Sequence, residues 1–228
     1  MPESVDPPMS QRTIAIGDIH GCALALEALL RAIAPRREDQ IVTLGDYINR
    51  GPDTRSVLDQ LIALAKECRL VSILGNHEQK LLEARVGLHP TTWLGMGGIT
   101  TLDSYGLDRQ LSSIPESHFE FLENCVDYHE TDRHIFVHAN YDPALPMNEQ
   151  SVLMLRWESL SETLPDRHES GKTVIAGHTP QKSGKILDLG YLKVIDTNCW
   201  AGGWLTALDV NSGEIWQANR AGKLREKS

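Results

Sequence analysis

Gly45-Asp46-Tyr47-Ile48-Asn49-Arg50-Gly51 follows the apolar run Ile41-Val42-Thr43-Leu44, and that succession decides the fold. A short apolar, β-branched run reads as a buried strand. A strand that ends in Gly-Asp and turns through Asn-Arg-Gly delivers charged side chains to its carboxyl edge, where open α/β sheets bind ligands. Two other stretches have the same form. Thr13-Ile14-Ala15-Ile16 runs into Gly17-Asp18-Ile19-His20-Gly21, and Leu70-Val71-Ser72-Ile73-Leu74 runs into Gly75-Asn76-His77-Glu78. Three buried strands therefore bring Asp18, His20, Asp46, Asn49, Arg50, Asn76 and His77 to one edge.

The segments between these strands are helical. Leu24, Leu26, Leu29, Leu30 and Ile33 recur at helical spacing over Cys22–Ala34, and Pro35 ends the run. Pro52-Asp53-Thr54 starts a second helix, which continues to about Cys68. A third runs from about His77 to Val86. This β-α-β-α-β order with short connections predicts an α/β domain with parallel strands and right-handed crossovers. His89 to Gly106 reads as short helical pieces around a Gly-rich loop, and Pro115 to Cys125 as a further helix. The second half is richer in strands: Val126–His129, His134–His138, Thr173–Gly177, Lys185–Leu189, Tyr191–Ile195, Leu205–Val210 and Glu214–Gln217. Leu189-Gly190-Tyr191 and Asn211-Ser212-Gly213 read as hairpin turns. With no repeat or linker, 12–220 is expected to form one domain. Residues 1–11, Pro-rich and acidic, are expected to be a disordered tail, and 221–228 a charged one.

At 228 residues with 23% charged side chains, the chain has the size and composition of a soluble globular domain. A formal net charge of −9 argues against long nucleic acids as partners, which call for a basic face. Bound divalent cations can still make the local field suit an anionic substrate. No apolar run approaches the roughly 20 residues of a membrane helix, and no secretory signal is seen. Cys22, Cys68, Cys125 and Cys199 form no CxxC pair and read as reduced structural thiols, which places the chain in the cytoplasm.

Two later strands also end in histidine: Ile135-Phe136-Val137 leads to His138-Ala139-Asn140, and Val174-Ile175-Ala176 to Gly177-His178-Thr179. The candidate ligand set is then Asp18, His20, Asp46, Asn76, His138 and His178. Carboxylate, amide and imidazole donors together suit Mn²⁺, Fe or Zn²⁺. Asp46, at the middle strand end, is placed to bridge two ions. Two ions about 3.5–4 Å apart clamp the attacking and leaving oxygens in phosphoryl displacement.

The ordered series GDIHG, GDYINRG, GNHE, VHA and GHT, spanning residues 17 to 179, resembles the calcineurin-like metallophosphoesterases. It is most similar to the branch holding Ser/Thr protein phosphatases, bacteriophage-type phosphatases and diadenosine tetraphosphate hydrolases. Gly97–Leu102 with Ser104-Tyr105-Gly106, and Asp196-Thr197 with Gly202–Ala207, look like the bacterial members. The resemblance implies two mixed β-sheets sandwiched between helices (αββα). It implies two divalent ions, with Mn first and Fe or Zn as alternatives. Asp18, His20 and His178 would hold the first ion, Asn76 and His138 the second, and Asp46 both. In some members His138 and His178 divide differently. His77 would be the general acid, and Arg50 and Asn76 would bind the phosphoryl group. Arg156 is the first choice for a second phosphate-binding arginine and Arg167 the fallback. A metal-bridging hydroxide would be the nucleophile.

One position departs from the pattern. The family reads GDxxDRG, and here the second Asp is Asn49. The family's Asp partners the acid histidine. Asn49 is expected to accept a hydrogen bond from the His77 ring through its oxygen, without the negative charge. The leading expectation is Ser/Thr-phosphatase-like hydrolysis of phosphomonoesters, in a phosphorylated protein or peptide. The alternative is a diadenosine polyphosphate or other nucleoside-polyphosphate (cap-type) anhydride, whose leaving group needs a proton less. A weakly active phosphoprotein-binding module is the lesser alternative. The remaining histidines read as surface or structural, and Trp157, Trp200, Trp204 and Trp216 as core. Lys172, Lys182 and Lys185 read as a solvated edge. Tyr105 and the Gly97-Gly98 loop are candidates for substrate contact.

Overall fold

Residues 11–160 and 164–226 are described by a computed structural model. All but the last residue of the expected N-terminal tail lies outside the described residues. The first three strands form as expected and pair in parallel: β1 (Thr13–Ile16), β2 (Gln40–Thr43) and β3 (Arg69–Ser72). The last two, β9 (Leu205–Asp209) and β10 (Ile215–Ala218), add antiparallel on the free side of β1, giving the order β10-β9-β1-β2-β3. The second sheet has the order β4-β5-β6-β8-β7. Its parallel centre is β5 (His134–Val137), β6 (Thr173–Ala176) and β8 (Leu192–Val194). Its antiparallel edges are β4 (Tyr128–Glu130) and β7 (Leu187–Asp188). Both sheets are mixed, as expected.

The alternation of side chains along each strand sets the layers. Ala15, Val42, Leu44, Ile73 and Leu208 of the first sheet face Phe136, Ile175 and Ile195 of the second, and all are essentially inaccessible. The intervening residues turn outward. Ile14, Ile16 and Ile41 pack under α1 (Ala23–Ile33) and α2 (Thr54–Glu67), with Leu26, Leu29, Val57 and Leu61 in the same apolar layer. Asp53 caps α2 by accepting a 3.0 Å bond from the Ser56 N–H. On the other side Ile135, Val137, Val174 and Ala176 pack with Tyr141, Met147 and Leu155. That outer layer is thin. It consists of the short helix α7 (Val152–Arg156) and the loops around it.

Further helices complete the first side: α3 (Asn76–Arg85), α4 (Pro90–Trp93), α5 (Ile99–Tyr105) and α6 (Glu116–Glu123). The segment expected as helical pieces around a loop is α4, a wide turn through Gly97 and α5. Three expectations change. Val126 joins Ile73 in an isolated bridge, and the strand expected from it begins at Tyr128. The expected strand Lys185–Leu189 shrinks to two residues. The fully buried tryptophan is Trp93, whereas Trp157, Trp200, Trp204 and Trp216 are half-buried. The described part of the charged C-terminal tail folds back, with the Arg225 N–H on the Gln217 carbonyl at 2.8 Å. The five-residue α7 is too short to show a period, so the pattern missed it.

Phe136 fills the space between the sheets, so Phe136→Ala leaves a cavity that the stiff strands cannot close. We expect a loss of about 3–5 kcal/mol in urea unfolding; a loss below 1 kcal/mol would mean that the inter-sheet layer collapses around the gap.

Candidate metal centre

The centre lies where five strands end. The backbone there is unusual: His20, Asp46, Asn49, Arg50 and His178 all have positive φ, between 45° and 68°. Non-glycine residues hold that conformation only where surrounding contacts over-determine it, and such positions cluster at functional sites. Here the contacts are visible. The Asp46 carbonyl accepts the N–H groups of Ile19 and His20 at 3.1 and 2.8 Å, and the Tyr47 carbonyl accepts that of Gly21 at 2.8 Å. The first two loops are thus locked together through their backbones.

Glu78 adds a third loop. Its Oε1 accepts the N–H groups of Tyr47 and Ile48 at 2.8 and 3.2 Å, and its Oε2 those of Asp46 and Gly75 at 2.8 and 3.1 Å. The carboxylate is inaccessible to solvent. Four convergent N–H dipoles offset part of the solvation that burial removes.

Asp46 is the hub. Its Oδ2 lies 3.3 Å from His20 Nε2, and its Oδ1 lies 3.4 Å from His138 Nε2. His138 Nε2 is 3.3 Å from Asn76 Oδ1 and 3.1 Å from His178 Nδ1. Asp18 accepts the His178 backbone N–H on both oxygens, at 3.1 and 3.0 Å. Two carboxylates sit where only glycine leaves room. A Cβ on Gly75 would come within 2.3 Å of Asp46 Oδ1, and one on Gly177 within 2.2 Å of Asp18 Oδ1.

The donors fit divalent ions by hydrogen-bond polarity. His20 Nδ1 donates to the Ile48 carbonyl at 2.9 Å, His138 Nδ1 to the Leu44 carbonyl at 2.7 Å, and His178 Nε2 to the Trp157 carbonyl at 3.1 Å. A ring nitrogen facing a carbonyl must carry the proton, so the other nitrogen of each ring presents a lone pair. Those lone pairs converge on Asp46. Its carboxylate belongs to two groups of potential ligands, one with His20 and His77, the other with His138 and His178. The six expected ligand residues are thus brought together. His138 and His178 adjoin each other, a closer pairing than the division between ions implied by the resemblance.

Burial shifts the titrations accordingly. It pushes Asp46 up to about 7, Asp196 to about 6 and Glu78 to about 8, the last aided by the Asp46 charge, and holds Asp18 well above the ordinary carboxylate range. It pulls His20 and His178 down to about 3 and His138 to about 4, and lowers His77 as well. Neutral imidazoles and crowded carboxylates are what a cation resolves.

Arg50 stands at the rim, exposed, with Nη1 3.1 Å from His20 Nε2 and its guanidinium 5.1 Å from the Trp200 ring centre. Arg156 reaches the neighbourhood, but its guanidinium is committed to Asp127 and to Gln79 Oε1 at 3.3 Å. Arg167 lies over Tyr191, at the start of β8 and so at the far end of that strand from Asp196; it is removed from the centre. Tyr105 bonds His118 Nδ1 at 2.6 Å, and His118 reaches Asp59 at 3.1 Å, so Tyr105 ties helices together rather than facing the centre. The Gly97 carbonyl receives the Arg50 N–H at 3.4 Å.

The expected role of Asn49 changes. Its Oδ1 accepts from Trp93 Nε1 at 3.1 Å and from the Thr101 hydroxyl at 2.8 Å, and its Nδ2 faces His77 Nδ1 at 2.8 Å. The amide donates to the ring instead of accepting from it. Sequence reasoning also missed Glu78, Asp196, Trp93 and Thr101. Glu78 at the third position of a helix after Gly-Asn was a legible cap signal. Trp93 and Thr101 reach Asn49 from more than 40 residues away, which no local pattern shows.

Two predictions follow from the burial of these carboxylates. Glu78→Gln turns an NH₂ group toward two N–H donors; about 1–3 kcal/mol is lost per unsatisfied group, and the melting temperature should fall in the metal-loaded protein. An unchanged melting temperature would remove Glu78 from the scaffold. The second concerns pH in the metal-free protein. Lowered histidines favour folding as pH rises, but that gain is complete at their ordinary value of 6.5. Raised carboxylates hold extra protons in the folded state, so stability declines as pH climbs through about 7 for Asp46 and about 8 for Glu78. Metal-free protein should therefore lose stability between about pH 6.5 and 8, and saturating Mn²⁺ should remove the decline. Melting curves in chelator and in Mn²⁺ across that window decide it; a rise in metal-free stability would be contrary.

Comparison with known proteins identifies the family. The chain is 29% identical to Serine/threonine-protein phosphatase 1 of Salmonella typhimurium, over 84% of this chain and 88% of that protein. It is 34% identical to a symmetrical bis(5'-nucleosyl)-tetraphosphatase of Janthinobacterium sp., over 58% of this chain but only 44% of that protein. Among solved structures, a candidate diadenosine tetraphosphatase superposes with a TM-score of 0.68 at 25% identity, covering 93% of this chain and 95% of that one. A Ser/Thr phosphatase from Saccharomyces cerevisiae shares the fold, with a TM-score of 0.64 at 13% identity over 92% and 80% of the two chains. Residues 11–201 match the calcineurin-like phosphoesterase model, and the chain belongs to that family, a hydrolase of phosphoester bonds with a site for divalent metal ions.

Proposed function

We propose that this protein is a two-metal phosphohydrolase that acts on phosphomonoesters in the manner of a Ser/Thr phosphatase. The observation that carries the reading is the shared Asp46 carboxylate, set between two groups of ligand atoms. Asp18, His20 and His178 would hold one ion and Asn76 and His138 the other, with Asp46 between. When bound, the ions supply an acidified water and offset phosphoryl charge. The chain does the rest. The carbonyls of Ile48, Leu44 and Trp157 keep the ligand rings oriented. Arg50, exposed and without an acidic partner among the described residues, is available to bind two phosphoryl oxygens through its planar fork. Among the described residues His77 Nε2 is buried without a hydrogen-bond partner, 3.8 Å from Asp46 Oδ2, and is available to the reacting phosphoryl group or the leaving oxygen. Arg156 would join the phosphate only by releasing Asp127.

Mn²⁺ is the favoured ion on donor chemistry, since carboxylate, amide and imidazole ligands are mixed. A cytoplasmic location agrees with four free cysteines. Among the described residues, no helix is long and apolar enough to cross a membrane. A second reading, hydrolysis of a nucleoside-polyphosphate anhydride, is favoured by the Asn49–His77 contact, because an anhydride leaving group is a weak base and asks less of an acid.

Activity on p-nitrophenyl phosphate should appear with Mn²⁺, vanish with chelator, and fall at least about 100-fold in Asp46→Asn. Retained activity in that variant would refute the bridging role. Comparing phosphoserine peptide with diadenosine tetraphosphate separates the two readings.

A further inference from the structure

The geometry points to Asn49 as a positioning residue that fixes the ring hydrogen of His77 on Nε2, and thereby makes the enzyme favour, among phosphate substrates, those with weakly basic leaving oxygens. This rests on the phosphohydrolase reading and names its substrate class: phosphoanhydrides and aryl phosphates ahead of alkyl phosphates.

The argument is one of hydrogen-bond polarity. An indole N–H can only donate. The Asn49 atom 3.1 Å from Trp93 Nε1 is therefore its oxygen, and the Thr101 hydroxyl donates to the same oxygen at 2.8 Å. Thr101 is itself held, accepting the Asn49 backbone N–H at 2.9 Å and contacting Thr54 Oγ1 at 3.1 Å. Trp93, Thr101 and Asn49 are inaccessible or nearly so, and a Cβ on Gly98 would meet the Trp93 ring at 2.6 Å, so the indole is confined. With the oxygen pinned, the NH₂ must face His77 Nδ1 at 2.8 Å. An N–H aimed at a ring nitrogen requires a lone pair there, so Nδ1 accepts and the ring's hydrogen is on Nε2.

His77 is thus the reverse of its neighbours. His20, His138 and His178 turn lone pairs inward; His77 turns an N–H inward. That N–H has no partner among the described residues. It also excludes His77 from the ligand set, although its nitrogen lies among the potential donors. During hydrolysis a bond forms from water oxygen to phosphorus and the bond to the leaving oxygen breaks, its electron pair staying on that oxygen. The Nε2–H can hydrogen-bond the resulting anion, but surrendering the ring's single proton would leave an imidazolate. The leaving oxygen takes its proton from water afterwards. A weakly basic oxygen tolerates this better than an alkoxide does.

Asn49→Asp keeps the acceptor for Trp93 and Thr101 and replaces the NH₂ by an oxygen, so Nδ1 must then carry a hydrogen. Two measurements test the inference. In metal-free protein labelled with ¹⁵N-histidine, His77 should show a bare Nδ1 and a protonated Nε2, with a hydrogen appearing on Nδ1 in Asn49→Asp. In Mn²⁺, the ratio of kcat/KM for phenyl phosphate to that for p-nitrophenyl phosphate should rise roughly tenfold or more in Asn49→Asp, as acid catalysis is restored to the poorer leaving group. A protonated Nδ1 in the unsubstituted protein, or a ratio unmoved by the substitution, overturns the inference. No turnover of either ester by the unsubstituted protein would instead sink the phosphohydrolase reading, and the NMR result would still decide the polarity.

Discussion

One carboxylate holds two of the three loops of the centre in register, and the third is bonded to one of these through the backbone. Glu78 gathers four backbone N–H groups from two separate turns, those of Asp46, Tyr47, Ile48 and Gly75. Without it, those amides would be buried and unpaired, each at a cost of about 1–3 kcal/mol. Because Glu78 opens α3, the position of that helix and the course of the Asp46 loop are a single variable. Asn76 and His77 occupy the same first turn, so every side chain they contribute inherits that placement. The scaffold of the centre is therefore electrostatic as much as apolar.

The two sheets supply the stiffness that this arrangement needs. Their facing side chains are inaccessible, and the strands run no more than five residues before the chain leaves for the centre. Short strands with tightly locked ends can hold residues at positive φ that an unconstrained chain would reject. The strain is localised where the ligands are, and the apolar layers carry the stabilisation.

Much of this was legible in the residues themselves. The runs before Asp18, Asp46, Asn76, His138 and His178 are apolar and short, and all five read as strand ends because a strand period and a polar turn are local signals. Four of the six residues expected as ligands bring their donor atoms together, with His20, His138 and His178 close around the Asp46 carboxylate. What was not legible is long-range polarity. Nothing near Asn49 in the chain announces Trp93 or Thr101, so the amide was read with the wrong face toward the ring. Likewise nothing near Arg156 in the chain announces Asp127 and Gln79, which hold its guanidinium. Arg167 looked close in sequence to His178 yet lies over Tyr191 instead.

The histidines differ in what sets their protons, and this bears on how the protein can change over generations. His20, His138 and His178 take their tautomers from main-chain carbonyls, which every substitution retains. Their behaviour is encoded in the path of the backbone and is shielded from drift in neighbouring side chains. His77 takes its tautomer from an amide that one nucleotide change can turn into a carboxylate. On the reading proposed for Asn49, selection can therefore retune which phosphate bond is favoured through one codon, while the histidines proposed to hold the ions stay fixed.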